Sequence, residues 1–251
     1  MAFDTIGDII ILKFRNETKK EKLEQAKRIL EKQKNIKTIL EKVEKVSGRL
    51  RTLKLKFLAG KNTRKAIHKE SGCLFKLNLE KCYFSPRMCN DRLEIAKRIK
   101  KGKVLVMFSG VAPYPIIIAK KTLAEKITCI ELGRECSKCA KENVKINKLE
   151  NIVEIIQGDV KRITPKLKAK FDYIVMARPQ LKDTFLKEAF KISKKGTIIF
   201  YHGFGKDIKE IKKEISEQAK KHKTRIKFLE FWKNGDIAPY TYRWTVVFRV
   251  E

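Results

Sequence analysis

No apolar run in this sequence is long enough to span a bilayer, and no secretory leader opens it. Membrane and secreted classes are thereby excluded, and the protein is expected to be cytoplasmic with its thiols reduced. Six cysteines include a single Cys-x-x-Cys pair, Cys136 and Cys139, but no second pair or neighbouring histidine completes a zinc set. The pair is read as packing and no metal is expected. Internal repeats and low-complexity segments are absent too. Acidic residues are scarce, with 29 Asp and Glu against 60 Lys and Arg, a formal charge of +31 spread over the whole length. Such an excess favours a polyanionic partner, because each cation placed on a phosphate releases condensed counterions. The bland alternative is a set of solvated lysine-rich helix faces.

What is present suffices for a sizeable core: 43% of 251 residues are apolar. The stretch Lys103–Ile117, KVLVMFSGVAPYPII, organises the rest. Val104–Phe108 reads as a buried parallel strand, Ser109-Gly110 as a tight loop, and Pro113 as the first turn of a helix. Strand, glycine-containing loop and helix N-terminus together present backbone N–H groups to a polar ligand at the strand's carboxyl end.

Downstream, strands are expected at 103–108, 126–131, 152–157, 171–176 and 196–201, with helices near 113–123, 135–148 and 182–193. That alternation specifies a parallel sheet covered on both faces. A helix at 207–222 and two closing strands, 224–232 and 240–250, joined at Lys233–Asp236, complete it. Upstream, residues 3–14 read as two short strands around a turn, 19–34 as a helix behind Asn16-Glu17-Thr18, and 36–46, 53–58, 64–69 and 73–77 as further strands. A helix at 89–99 leads into the central strand. The expected division is a small α+β domain, residues 1–84, followed by an α/β domain, 85–251.

An α/β sheet closed by such a hairpin resembles the class I S-adenosylmethionine-dependent methyltransferase, a Rossmann-like fold. In that fold Glu131, ending the second strand, suits the ribose hydroxyls, and Asp159, after the third, suits the adenine amino group. Phe108, Ser109, Gly110, Val111 and Pro113 would lie against the amino-acid moiety. Strands also end in carboxylates merely to terminate an apolar run; three such positions at successive strand ends favour the cofactor.

The string Cys82-Tyr83-Phe84-Ser85-Pro86-Arg87-Met88-x-x-Asp91-Arg92, with Val104-Leu105-x-Met107-Phe108-Ser109-Gly110-Val111-x-Pro113 after it, resembles the archaeal and eukaryotic type of tRNA guanosine-37 N1-methyltransferase and its wyosine-pathway relatives. So do Val46-Ser47-Gly48-x-x-Arg51, His68-Lys69-Glu70-x-Gly72-Cys73 and Ala238-Pro239-Tyr240. The likeness covers nearly the whole chain, without the additional N-terminal domain that many members carry. It implies S-adenosylmethionine as cofactor, a monomer, and tRNA as partner, gripped at the anticodon stem-loop.

By position, Asp91 matches the family's general base and Arg51 the arginine that stabilises developing charge on the target base. Both groups are needed, because guanine N1 must lose a proton as it attacks. Tyr83, Pro86 and Arg87 would shape the wall between the two domains, and Pro239 and Tyr240 would border the target base. The sequence departs from the family at Val106, at Ala112, and at Ala177-Arg178-Pro179-Gln180, where an Asn-x-Pro is usual. Arg178 and Gln180 offer donors to a base that is held differently. Three readings follow: N1-methylation of guanosine 37; methyl or aminocarboxypropyl transfer to a tricyclic base at the same position; and a non-catalytic RNA-binding descendant.

Overall fold

The computed structural model describes residues 2–43, 53–178 and 183–251. Ala2–Ile6 (β1) and Ile9–Lys13 (β2) form a hairpin around Gly7. There φ is +59° and an added Cβ would stand 2.2 Å from the Ile67 carbonyl oxygen, so only glycine fits. Lys19–Lys32 (α1) starts with a reciprocal cap: the Thr18 hydroxyl accepts the Glu21 N–H while the Glu21 carboxylate accepts the Thr18 N–H. Its Ala26, Leu23, Ile29 and Leu30 pack on Ile10, Leu12, Ile39 and Leu58. Thr38–Lys42 (β3) runs parallel to β2, and Leu55–Gly60 (β4) antiparallel to β3, giving the order β1-β2-β3-β4. Lys65–Glu70 (β5) and Cys73–Asn78 (β6) make a separate hairpin.

Cys89–Arg98 (α2) leads into a seven-stranded sheet. Its strands are Lys101–Met107 (β7), Leu123–Glu131 (β8), Val153–Gln157 (β9), Phe171–Met176 (β10), Ser193–Gly205 (β11), Ile226–Ala238 (β12) and Thr241–Val250 (β13). Between them lie Pro113–Lys121 (α3), Arg134–Ile146 (α4), Val160–Ile163 (α5), Leu186–Lys191 (α6) and Ile208–Lys221 (α7). The order is β12-β13-β11-β10-β7-β8-β9, parallel except for β13, which runs antiparallel between β11 and β12. β8 lies on one side of β7 and β10 on the other, so the chain reverses its winding at β7. A crevice therefore opens at the carboxyl end of β7, as it does wherever helices leave opposite faces of a parallel sheet.

One apolar core runs from Ile6, Phe75 and Phe84 through Ile95 to Val104, Ile116 and Cys129; a second, on the other face, joins Leu105, Ile174, Phe190 and Phe248. No helix among the described residues is long and apolar enough to cross a membrane.

Two of the boundaries that differ from the sequence expectation have a local cause. The closing hairpin does not turn at Lys233–Asp236: β12 continues to Ala238, and the reversal falls at Pro239-Tyr240. Gly235, at φ +102°, absorbs the register shift between Lys233 and Asp236. The helix expected over 182–193 begins only at Leu186, because Phe185 takes φ +56° while its N–H is held by the Asp183 carboxylate.

Candidate active site

The loop after β7 is built from three left-handed residues, Phe108, Gly110 and Ala112, with φ of +62°, +57° and +67°. Two of them carry a Cβ, at about 1–2 kcal/mol each, so surrounding contacts must hold the loop. They do. The Ser109 N–H donates to the Ile130 carbonyl, the Gly110 N–H to Glu131 Oε2 at 2.8 Å, and Asn143 Nδ2 to the Val111 carbonyl. Ala112 thus tolerates the family's glycine position with the glycine conformation retained.

Glu131 ends β8, buried, with its other oxygen on the Gly133 N–H at 2.7 Å. Burial raises its pKa, and the N–H groups of Gly133 and Gly110 offset this only in part. Each oxygen keeps acceptor capacity for a ribose hydroxyl. Asp159 caps α5 through the Lys161 N–H. The Ser109 hydroxyl is buried and without a hydrogen-bond partner among the described residues.

These groups line a cleft of about 140 Å³ together with Phe108, Gly110, Pro113, Tyr83, Ala177 and His202. Phe108 and Phe185 meet edge to face at 4.8 Å across it. An apolar aromatic wall, two carboxylates at successive strand ends and an orphaned hydroxyl by the helix start fit S-adenosylmethionine: aromatic edges for adenine, Glu131 for ribose, Ser109 for the amino-acid end. Glu131→Gln should weaken S-adenosylmethionine binding at least tenfold in calorimetry, since hydrogen bonds to a charged group contribute about 1.5–3 kcal/mol. Unchanged affinity would put the ribose elsewhere.

The other expected site residues are dispersed. Tyr83 lines the cleft, but Val111 is buried in the core and does not line it. Pro86 opens the short turn before α2, and Arg87 ion-pairs with Asp4 at 2.7 Å, tying that turn to β1. Pro239 and Tyr240 form the tip of the β12–β13 hairpin and border a separate depression, with Tyr240 75% exposed. Arg51, Pro179 and Gln180 lie outside the described residues.

Arg178 reaches the cleft wall, yet its donors are turned to the protein. Nε donates to the His202 carbonyl, Nη1 to the Asp183 carbonyl, and the guanidinium stacks on Tyr201 and Phe204. Nε and Nη1 are thus engaged within the protein, where the sequence expects Arg178 to offer donors to a substrate base.

Asp91, expected by position as the general base, has its carboxylate buried at 3% exposure with five donors on it. Oδ2 accepts from Tyr114 at 2.5 Å and from His202 Nε2 at 2.9 Å. Oδ1 accepts from Thr245 at 2.7 Å, Asn234 at 2.7 Å and Trp232 at 2.9 Å. Burial alone would raise its pKa, but the His202 charge and the bonds from His202, Tyr114 and Thr245 outweigh it and hold the carboxyl well below the usual range. A carboxylate offers about four lone pairs, and none is left here for a substrate proton. His202 and Tyr114, not Asp91, face the cleft.

Sequence reasoning missed most of this cluster. Asn234 is expected as part of the turn at Lys233–Asp236, and nothing near Trp232 in sequence marks it for the site. Tyr114, Thr245, Phe185 and Arg243 carried no local signal beyond the first-turn position of Tyr114 in α3.

Fold, strand order and cleft together define a class I S-adenosylmethionine-dependent methyltransferase. Residues 66–227 match the TRM5/TYW2 methyltransferase domain and residues 1–63 the TYW2 N-terminal domain, and the chain belongs to that family. It is 34% identical over 254 residues to the tRNA (guanine(37)-N(1))-methyltransferase Trm5b of Pyrococcus abyssi, covering 100% of this chain and 75% of that one. The crystal structure of that protein superposes with a TM-score of 0.88. Taw22 of Nanoarchaeum equitans, a tRNA (guanine(37)-N(1))/4-demethylwyosine(37)-methyltransferase, is 30% identical over 97% of each chain. The structure of aTrm5 in complex with tRNALeu gives a TM-score of 0.90 at 28% identity, covering 100% of this chain and 72% of that one.

Proposed function

We propose that this protein transfers the methyl group of S-adenosylmethionine to N1 of guanosine 37 in tRNA. The observation that carries the reading is that one cleft is lined both by the cofactor loop, Phe108–Gly110, and by Tyr83, Phe84 and Ser85 of the segment joining the small module to the sheet. Cofactor and target base would share that cleft, the base splayed out of the anticodon loop. Its relatives' named activity supports the same reading. Residues 1–84 would act as an RNA-positioning domain and 85–251 as the catalytic one, in a monomeric cytoplasmic enzyme. The +31 charge supplies the grip on the anticodon stem-loop. Asp91 would serve as an anchor for the groups around it, Arg51 as the cation near the target base, and Tyr83, Pro239 and Tyr240 as substrate contacts.

A second reading, transfer to a tricyclic base at the same nucleotide, is favoured by Ala177. It lines the cleft where an asparagine amide is usual in the family, and it leaves both room and one hydrogen-bonding edge fewer. Incubation with S-adenosylmethionine and an unmodified guanosine-37 transcript, followed by mass analysis of the nucleosides, separates the two. N1-methylguanosine is the expected product. Product only on tRNA bearing a tricyclic guanosine derivative would establish the second reading, and failure to bind S-adenosylmethionine in calorimetry would leave an RNA-binding descendant.

A further inference from the structure

We propose that Arg243 binds a backbone phosphate beside the target nucleotide and so positions the base in the cleft. The proposal rests on the tRNA reading above and adds to it a residue that no local feature of the sequence marks.

Three arginines line the cleft, Arg92, Arg178 and Arg243. Two are engaged by the protein itself. Arg92 forks onto Glu70, while Arg178 gives Nε to the His202 carbonyl and Nη1 to the Asp183 carbonyl. Arg243, half-buried on β13, is placed differently. Among the described residues its hydrogen bond goes from Nη1 to Met88 Sδ, a neutral thioether and a weak acceptor, and no carboxylate pairs with it. Its guanidinium lies 5.6 Å from the centre of the Phe204 ring. A cation partly withdrawn from water without a counter-charge is costly, and the planar fork keeps donors for an anion that enters the cleft. Its charge is felt inside: burial and the Asp91 charge raise the Tyr114 pKa, and the Arg92 and Arg243 charges pull against them.

Topology says which anion this is. Glu131 and Asp159 follow β8 and β9, and Ser109 follows β7, whereas β7, β10, β11 and β13 are successive neighbours. Arg243 therefore stands three strand spacings, roughly 14 Å, from β7 on the side away from Glu131. A cofactor with its ribose on Glu131 and its amino-acid end by Ser109 ends short of it. The space beyond belongs to the target nucleotide.

Depth then separates base from phosphate. Arg243 and Thr245 share one face of β13; Thr245 bonds Asp91 in α2, and Arg243 reaches Met88 in the turn before it. Thr245 is fully buried, and Arg243, opposite Phe204 in the β11–β13 ladder, is partly exposed at the mouth. A base splayed into the cleft leaves its phosphates at that mouth, where a guanidinium can take two phosphate oxygens side by side.

The test measures binding by the full chain, without turnover. Arg243→Gln should weaken tRNA binding about tenfold, the lower end of what a hydrogen-bonded charge contributes. The slope of log Kd against log salt should shrink by about 0.7–0.9, one phosphate's share of released counterions, and Arg243→Lys should keep the wild-type slope. Affinity for S-adenosylmethionine should stay within twofold in calorimetry. The decisive arm uses tRNA assembled by ligation with a neutral methylphosphonate at one or the other linkage flanking guanosine 37. One of the two should weaken wild type about tenfold and Arg243→Gln less than twofold, because the variant has already lost that contact.

Equal methylphosphonate penalties in wild type and variant, or an unchanged salt slope, would overturn the proposal. A fall in S-adenosylmethionine affinity would assign Arg243 to the cofactor's carboxylate or to the fold, and overturn it equally. An Arg243-dependent penalty with no N1-methylguanosine formed would support the contact while sinking the guanine N1 reading. Wild type that binds no tRNA would sink both.

Discussion

Asp91→Ala is expected to lower the free energy of unfolding by about 3–5 kcal/mol in urea denaturation, the range for removing one partner from a buried charged network. The substitution deletes little volume. Its effect comes from Tyr114, His202, Trp232, Asn234 and Thr245, which all lose one shared acceptor. Those donors come from α3, β11, β12 and β13, so the carboxylate fastens α2 to a second helix and three strands. Asp91→Asn keeps the shape but turns one acceptor into a donor, and should cost about half as much. A loss below about 1 kcal/mol for the alanine variant would mean that water entering from the cleft satisfies the donors instead.

The same carboxylate gives the stability a pH dependence whose sign is fixed. Its pKa is lower folded than unfolded, so its contribution is complete above the ordinary carboxyl range near pH 4 and is lost as the pH falls below it. Glu70 acts in the same sense: burial would raise its pKa, but bonds and charge from His68 and Arg92 reverse that. Glu131, raised by burial, acts oppositely, so that its unfavourable contribution is lifted as it takes up a proton on acidification. Asp91→Asn removes one contribution that is lost in acid, so acid unfolding should be blunted in that variant relative to wild type.

The second large effect is expected at Arg92. Its guanidinium, 2% exposed, forks onto Glu70 with Nε at 2.7 Å and Nη2 at 2.5 Å, and Nη2 also donates to the Ser85 carbonyl. It stacks against Phe84 at 5.2 Å and Tyr114 at 5.8 Å. Arg92→Met leaves Glu70 charged and buried with only His68 beside it, and should cost about 3–5 kcal/mol. Arg92→Lys should recover little, because an ammonium cannot reproduce the fork. Arg92→Met combined with Glu70→Met should return most of the loss, since an apolar pair of like volume is often neutral. If the double variant is as unstable as the single, the fork supplies more than the removal of a stranded charge. Because this pair joins β5 to α2, its loss should also weaken the seating of the small module against the cleft, read as a raised KM for tRNA.

How much of this was legible in the chain depends on the range over which each feature is encoded. The βαβ alternation, the capping box at Thr18-Glu21, the loop at Ser109-Gly110 and the carboxylate ending β8 are set by neighbours within about four residues, where periodicity and backbone chemistry act directly. Local sequence therefore determined the class of fold, the end of the sheet that holds the cleft, and several residues that line it. It misplaced the last turn, because Lys-Asn-Gly-Asp reads as a hairpin loop whereas Asn234 is held in the strand by Asp91 and Thr245.

Which side chains meet was decided only by the tertiary structure. Asp91 and His202 are 111 residues apart, and Asp91 and Trp232 are 141 apart. Nothing within a few residues of Asp91 distinguishes a solvent-facing carboxylate in a first helical turn from one filled by five donors. The insertion of β13 between β11 and β12 brings Thr245 beside His202 and both beneath α2. That register gathers donors from three strands onto the Asp91 carboxylate and leaves the His202 imidazole lining the cleft.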